Sequence, residues 1–213
     1  NDAFTLDMTL IPDFGEARSD NQVLNLSPFE QRFDENRQFF TEGVELFNKG
    51  GLFYSRRIGG RTLNNHLVED QLQEGEEIIA NPQQAQLLNA SKVSGRTTNG
   101  LGIGVFNAIE ARSFATVKYA EGIEREIQKH PLTNYSVVAF DQNLKNNSFA
   151  TLINTNVTRF GDDYDANVTG AVFELRNKAN SYSISGDGAL SQKSFVDAET
   201  EFGHAVSVSA GKT

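Results

Sequence analysis

LGIGVFNAIE, residues 101–110, alternates Leu101, Ile103 and Val105 with Gly102, Gly104 and Phe106. A period of two places the first set on one face of an extended chain and the second on the other. NSYSISGDGALSQ, residues 180–192, repeats the pattern, with Tyr182, Ile184 and Leu190 opposite Ser181, Ser183, Ser185 and Asp187. Working outward, the spans 87–96, 132–143, 147–160, 165–176 and 201–210 share this texture, divided by Gly, Asn and Asp turns. These spans predict an antiparallel meander of roughly seven strands. Strands of a soluble sandwich average about five or six residues, whereas tilted membrane strands need about nine to eleven. The spans here reach the longer class, which points to a membrane β-barrel.

The short links 97–100 and 144–146 read as tight turns, and 111–131 reads as an outer loop or a further hidden strand. Upstream, residues 3–11 make a strand with Phe4, Leu6, Met8 and Leu10 on one face, and Val23–Leu26 could pair with it. Residues 63–86 are polar and acidic and read as a long loop with one helical turn.

Between them lies SPFEQRFDENRQFFTEGVELFNKGGLFYSRRI, residues 27–58, where Phe29, Phe33, Phe39, Phe40, Phe47 and Phe53 are interleaved with charge. Ser27-Pro28-Phe29-Glu30 has the form of a capping box and predicts a short helix to about residue 36. A second helical turn is expected over 41–47, ending at Gly50-Gly51, with an extended chain from Leu52. A segment this short cannot bury so many rings and charges alone, so something larger must enclose it. Residues 1–86 are therefore expected to be a plug-like or linker segment, and 87–213 the first strands of an incomplete outer-membrane barrel.

Composition narrows the chemistry. The 213 residues contain no Cys and no Trp and carry a formal net charge of −9. Disulfide frameworks, zinc–thiolate sites and catalytic thiols are excluded. A nucleic-acid surface is disfavoured for want of clustered Lys and Arg. No apolar run approaches the roughly 20 residues of a transmembrane helix. His66, His130 and His204 show no metal-ligand spacing, and Asp162, Asp163 and Asp165 lack the register of a calcium loop. No metal or cofactor is expected. Glu30, Glu35, Glu42 and Glu45 are the candidates for paired glycosidase carboxylates. The alternative is structural, with these groups neutralised by Arg32, Arg37, Arg56 and Arg57. On that reading Arg56 and Arg57 anchor the segment to wall carboxylates such as Glu110, Asp141, Glu174 or Asp187.

Four stretches, PDFGEARSDNQVLNLSPFEQRFDENRQFFTEGVELF (12–47), LFYSRRIGG (52–60), ASKVSGRTTNGLGIGVFNAI (90–109) and PLTNYSVVAF (131–140), resemble an uncharacterised family of Gram-negative outer-membrane proteins. Members of that family look like a family-9-type carbohydrate-binding domain followed by a large C-terminal β-barrel domain. The resemblance implies an outer-membrane location and a chain that is one piece of a longer precursor. It implies no settled activity, although some members are labelled hydrolases through the carbohydrate-binding module. Arg18 and Ser19, near Asp13 and Glu16, depart from the family's more acidic pattern and weaken a metal reading there. The expected partners are outer-membrane lipid and other envelope proteins or glycans, in transport, surface assembly or envelope interaction. The alternatives are a membrane-associated glycan hydrolase and a soluble β-sandwich carbohydrate-binding module.

Overall fold

The computed structural model describes residues 4–12, 32–119 and 122–212. Its strands are β1 (Phe4–Leu10), β2 (Glu76–Ala80), β3 (Leu87–Arg96), β4 (Leu101–Glu110), β5 (Ser113–Tyr119), β6 (Glu124–His130), β7 (Leu132–Asn143), β8 (Phe149–Phe160), β9 (Asp165–Arg176), β10 (Tyr182–Ser194) and β11 (Glu201–Lys212). Eight of them form one antiparallel sheet in the order β1-β3-β4-β7-β8-β9-β10-β11. The other three form a small sheet in the order β2-β5-β6. The chain is mainly β, and its large sheet is open, not closed into a barrel, with β1 and β11 as the edges among the described residues.

Turn chemistry explains why neighbouring strands pair. Gly100 has φ +81° and its N–H bonds Thr97 O at 2.9 Å, closing the β3–β4 turn. Asn146 and Asn147 both adopt positive φ at the β7–β8 turn, as does Asn180 between β9 and β10. Asn tolerates this left-handed region better than other residues with a side chain, and it matches the twist of a hairpin. Strands β7, β8 and β9 each run 12 residues and β10 runs 13.

Several local expectations need correction. Of the two readings of residues 111–131 the hidden strand holds, but there are two: the β5–β6 hairpin, which pairs with β2 to build the small sheet. The long loop expected over 63–86 holds the helical turn α2 (Leu67–Asp70) but also β2, which pairs with β5. Its sequence EEIIA is too short to show a clear period. The strand at Val23–Leu26, the capping box and the acidic group at Asp13 and Glu16 lie outside the described residues. Residues 32–37 are non-helical because their N–H groups are engaged elsewhere: Phe33 N–H donates to Tyr54 Oη at 2.8 Å, and Arg37 N–H to Glu35 Oε1 at 3.0 Å. The first helical turn is instead α1 (Gln38–Thr41). Gly43 at φ +61° bends the chain, and a turn at 44–48 follows. The span expected to be extended after Leu52 contains a 3-10 turn at Ser55–Arg57.

The core forms where this segment lies on one face of the large sheet. Phe40, Leu46, Phe47 and Ile58 pack against Phe106, Ala108, Val137, Ala139 and Ile153. Phe53, Phe40 and Phe47 surround Phe106 at ring-centroid distances of 5.2, 6.1 and 6.2 Å. Each fully buried Phe contributes about 1.5–3 kcal/mol, so the rings dominate the attachment. Gly102 and Gly104 make the close approach possible, since a Cβ there would sit 2.9 Å from Leu46 Cδ2 and from Phe47 Cε1 respectively.

Candidate functional site

Polar contacts fasten the same segment to the large sheet, and they arise from strand positions whose side chains point toward the segment. Lys92 of β3 is fully buried; its Nζ donates to Phe39 O at 2.5 Å and to Glu42 O, and lies 3.7 Å from Asp7 Oδ2 of β1. Its ammonium also stands 4.6 Å from the Phe39 ring centroid. Asp141 of β7 pairs with Arg96 of β3 and accepts from Thr151 at 2.6 Å. Lys49 of the segment reaches the same carboxylate at 3.8 Å.

A second fastening surrounds Glu110 at the end of β4. Its fully buried carboxylate accepts from Gly59 N–H at 2.6 Å and from Tyr135 Oη at 3.1 Å, and lies 2.9 Å from His130 Nε2. Leu63 N–H donates to His130 Nδ1 at 3.2 Å, which leaves the proton on Nε2 to be donated to Glu110. Glu110 and His130 thus tie the Gly59–Leu63 loop to the ends of β4 and β6. No reacting atom is presented, because both carboxylate oxygens are taken by protein donors.

The candidates named from sequence are dispersed. Glu30 lies outside the described residues. Glu35 bonds Arg37 Nη2 at 2.6 Å and Ser55 Oγ at 2.6 Å. Burial pushes the Glu35 carboxyl up, but the hydrogen bonds from Arg37 and Ser55 outweigh it and hold it below its ordinary value. Glu42 is exposed and accepts from Gln38 Nε2 at 3.0 Å, and Glu45 is exposed. Arg37 is buried and also donates to Ile58 O at 2.5 Å and Ser55 O at 2.8 Å. Arg32 and Arg57 stand over Tyr54 at 5.3 and 5.9 Å, and Arg56 is half-buried. Glu174 pairs with Arg176 at 2.5 Å on its own strand, and Asp187 is exposed. Among the described residues, no cluster of His, Asp and Glu could hold a metal ion.

Lys92, Lys49, His130 and Tyr135 are what sequence reasoning missed as attachment points, whereas Glu110 and Asp141 were named from sequence and do hold the segment. Lys92 carried a signal, being with Arg96 one of two charges on the parity of β3 shared by Ala90 and Ser94. His130 carried none, since its partner lies 20 residues away.

The two faces of the large sheet differ sharply. By register, the face that meets the segment bears Asp7, Lys92, Arg96, Glu110, Asp141 and Arg159, then Glu174, Arg176, Asp187, Lys193 and Glu201 toward the β11 edge. On the outward face the charged positions are Asp165 and Lys212, both at strand ends. One outward row crosses all eight strands as Phe4, Gly95, Ile103, Phe140, Leu152, Ala171, Gly188 and Val206. None of these side chains has a polar atom, and Leu152 and Val206 are 50% and 75% exposed. Four residues further along the strands, a polar row crosses six of them as Ser91, Asn107, Ser136, Asn156, Asn167 and Gln192.

The family described as "Domain of unknown function (DUF5916)" matches residues 1–213. No curated protein and no solved structure matches the chain.

Proposed function

The chain belongs to this family of unknown function, and from that premise we propose that it forms part of the wall of a bacterial outer-membrane β-barrel. On this reading β1, β3, β4 and β7 to β11 belong to the barrel wall, and the segment of residues 32–58 lies inside it as a plug. The observation that supports it is the segregation of charge. A sheet in water has no need to clear its exposed face of ions, whereas a charged group on a lipid-facing strand costs about 2–4 kcal/mol near the bilayer midplane. Here the exposed face carries charge only at strand ends, at Asp165 and Lys212, and the other charges of the sheet line the face that holds the segment. The length of the strands agrees, since about 9–11 tilted residues cross a bilayer.

The role is non-enzymatic: transport, surface assembly or envelope interaction, with lipid as the first partner and other envelope proteins or glycans as further ones. Held by Arg37 and Ser55, Glu35 offers no free carboxylate for glycan hydrolysis. The test is cell fractionation of the full-length protein in Gram-negative cells. Recovery in the outer membrane, extraction only by detergent, and different gel mobility before and after heating are expected. A protein that stays soluble without detergent and fractionates away from the outer membrane overturns the proposal.

A further inference from the structure

The two ends of the large sheet differ as much as its two faces. The β3–β4, β7–β8 and β9–β10 connections, all at one end, are tight turns closed by Gly100, Asn146–Asn147 and Asn180. At the other end the β8–β9 link is also short, residues 161–164, but the β4–β7 connection carries the β5–β6 hairpin and the chain between β1 and β3 spans residues 11–86. The outward face changes in step. The fully apolar row lies nearer the tight turns, and the polar row lies about 13 Å further along the strands, on the side of the hairpin.

The polar row is an ordered layer. Asn107 Nδ2 donates to Asn134 Oδ1 at 3.2 Å, and Asn167 Nδ2 to Asn156 Oδ1 at 3.1 Å. Asn154 Nδ2 donates to Asn167 Oδ1 at 3.0 Å and to Thr169 Oγ1 at 2.7 Å. Amides that bond one another across strands still present further donors and acceptors outward, which acyl chains cannot satisfy and water or lipid headgroups can. Past this layer the small sheet exposes Glu77, Glu124 and Glu126.

We infer that the hydrocarbon of the bilayer covers only the turn-side part of the outward face and ends at the row of amides, with the β2-β5-β6 sheet projecting into water on the external side. The occupant of the apolar part is lipid acyl chain. The external assignment follows from the asymmetry of the connections, because outer-membrane barrels keep short turns on the periplasmic side and longer loops outside. The inference rests on the membrane reading above and adds a depth and a direction to it.

The chain has no cysteine, so single cysteines report unambiguously. Glu126→Cys and Lys145→Cys are placed in the full-length protein and treated in intact cells with a membrane-impermeant maleimide. Glu126→Cys is expected to react directly, and Lys145→Cys, in the β7–β8 turn, only after the outer membrane is permeabilised. The reverse pattern overturns the direction while leaving the membrane reading intact. Recovery of both variants in the soluble fraction overturns the membrane reading itself. For depth, Leu152→Cys and Asn156→Cys are compared in proteoliposomes. Leu152→Cys is expected to react several-fold more slowly in lipid, and the difference to vanish in unfolding buffer. Equal reactivity in lipid overturns the boundary.

Discussion

Lys92 shows how one side chain can carry a disproportionate share of an attachment. Its ammonium joins two carbonyls of the segment to β3, and nothing else in the described contacts of Phe39 O and Glu42 O replaces it. Lys92→Ala should leave both carbonyls short of a partner, at about 1–3 kcal/mol for each that water cannot reach. The expected readout is faster proteolysis within 39–47 while β7–β10 stay resistant. Proteolysis at the wild-type rate would mean that the phenylalanines hold the segment unaided. The residue was visible as a charge on an inward parity, but its partners were not, because Phe39 O lies 53 residues away in sequence.

Among the elements, the small sheet has its own fastening. Arg125 of β6 bonds Glu76 of β2 at 2.6 and 2.7 Å and also Gln71 O at 2.7 Å. The Arg125 guanidinium is the main reason that the Glu76 carboxyl is lowered to about 2, against the opposing effect of burial. The folded value lies below the unfolded one of about 4.3, so the stabilisation is complete above that pH and is lost as pH falls toward about 2. Hydrogen exchange at Ile78, corrected for its intrinsic rate, should therefore rise between about pH 5 and pH 2 relative to Phe106 of β4. Glu76→Gln should raise it at neutral pH and flatten the acid response, and an unchanged profile in that variant would discard the pair as the cause. Strands β3, β4, β7, β8, β9, β10 and β11 were legible because a long alternating span outvotes any single residue. β2, β5 and β6 were not, since five to seven residues with mixed charge do not establish a period.

For the molecule as a whole, the sorting of residues between faces makes the membrane reading testable by two adjacent changes. Ile103→Arg, on the outward apolar row, should cost about 2–4 kcal/mol in a bilayer and much less in mild aqueous conditions. Gly104→Ala should instead crowd Phe47, whose Cε1 would lie 2.9 Å from the new Cβ, with an overpacking cost of about 1–3 kcal/mol that does not depend on lipid. Unfolding of both variants in detergent and in vesicles checks this, and equal lipid dependence at the two positions would remove the assignment of faces. Alternation, strand length and turn residues are set by interactions within a few residues, so the mainly antiparallel β character could be read from the chain. The open edges at β1 and β11, the polar row and the seating of Lys92 and Glu110 depend on cross-strand register and on chain segments far apart in sequence. Only the folded sheet aligns Asn107 with Ser136 and Asn156, and brings Gly59 N–H to Glu110, because those pairings are long-range and no local pattern encodes them.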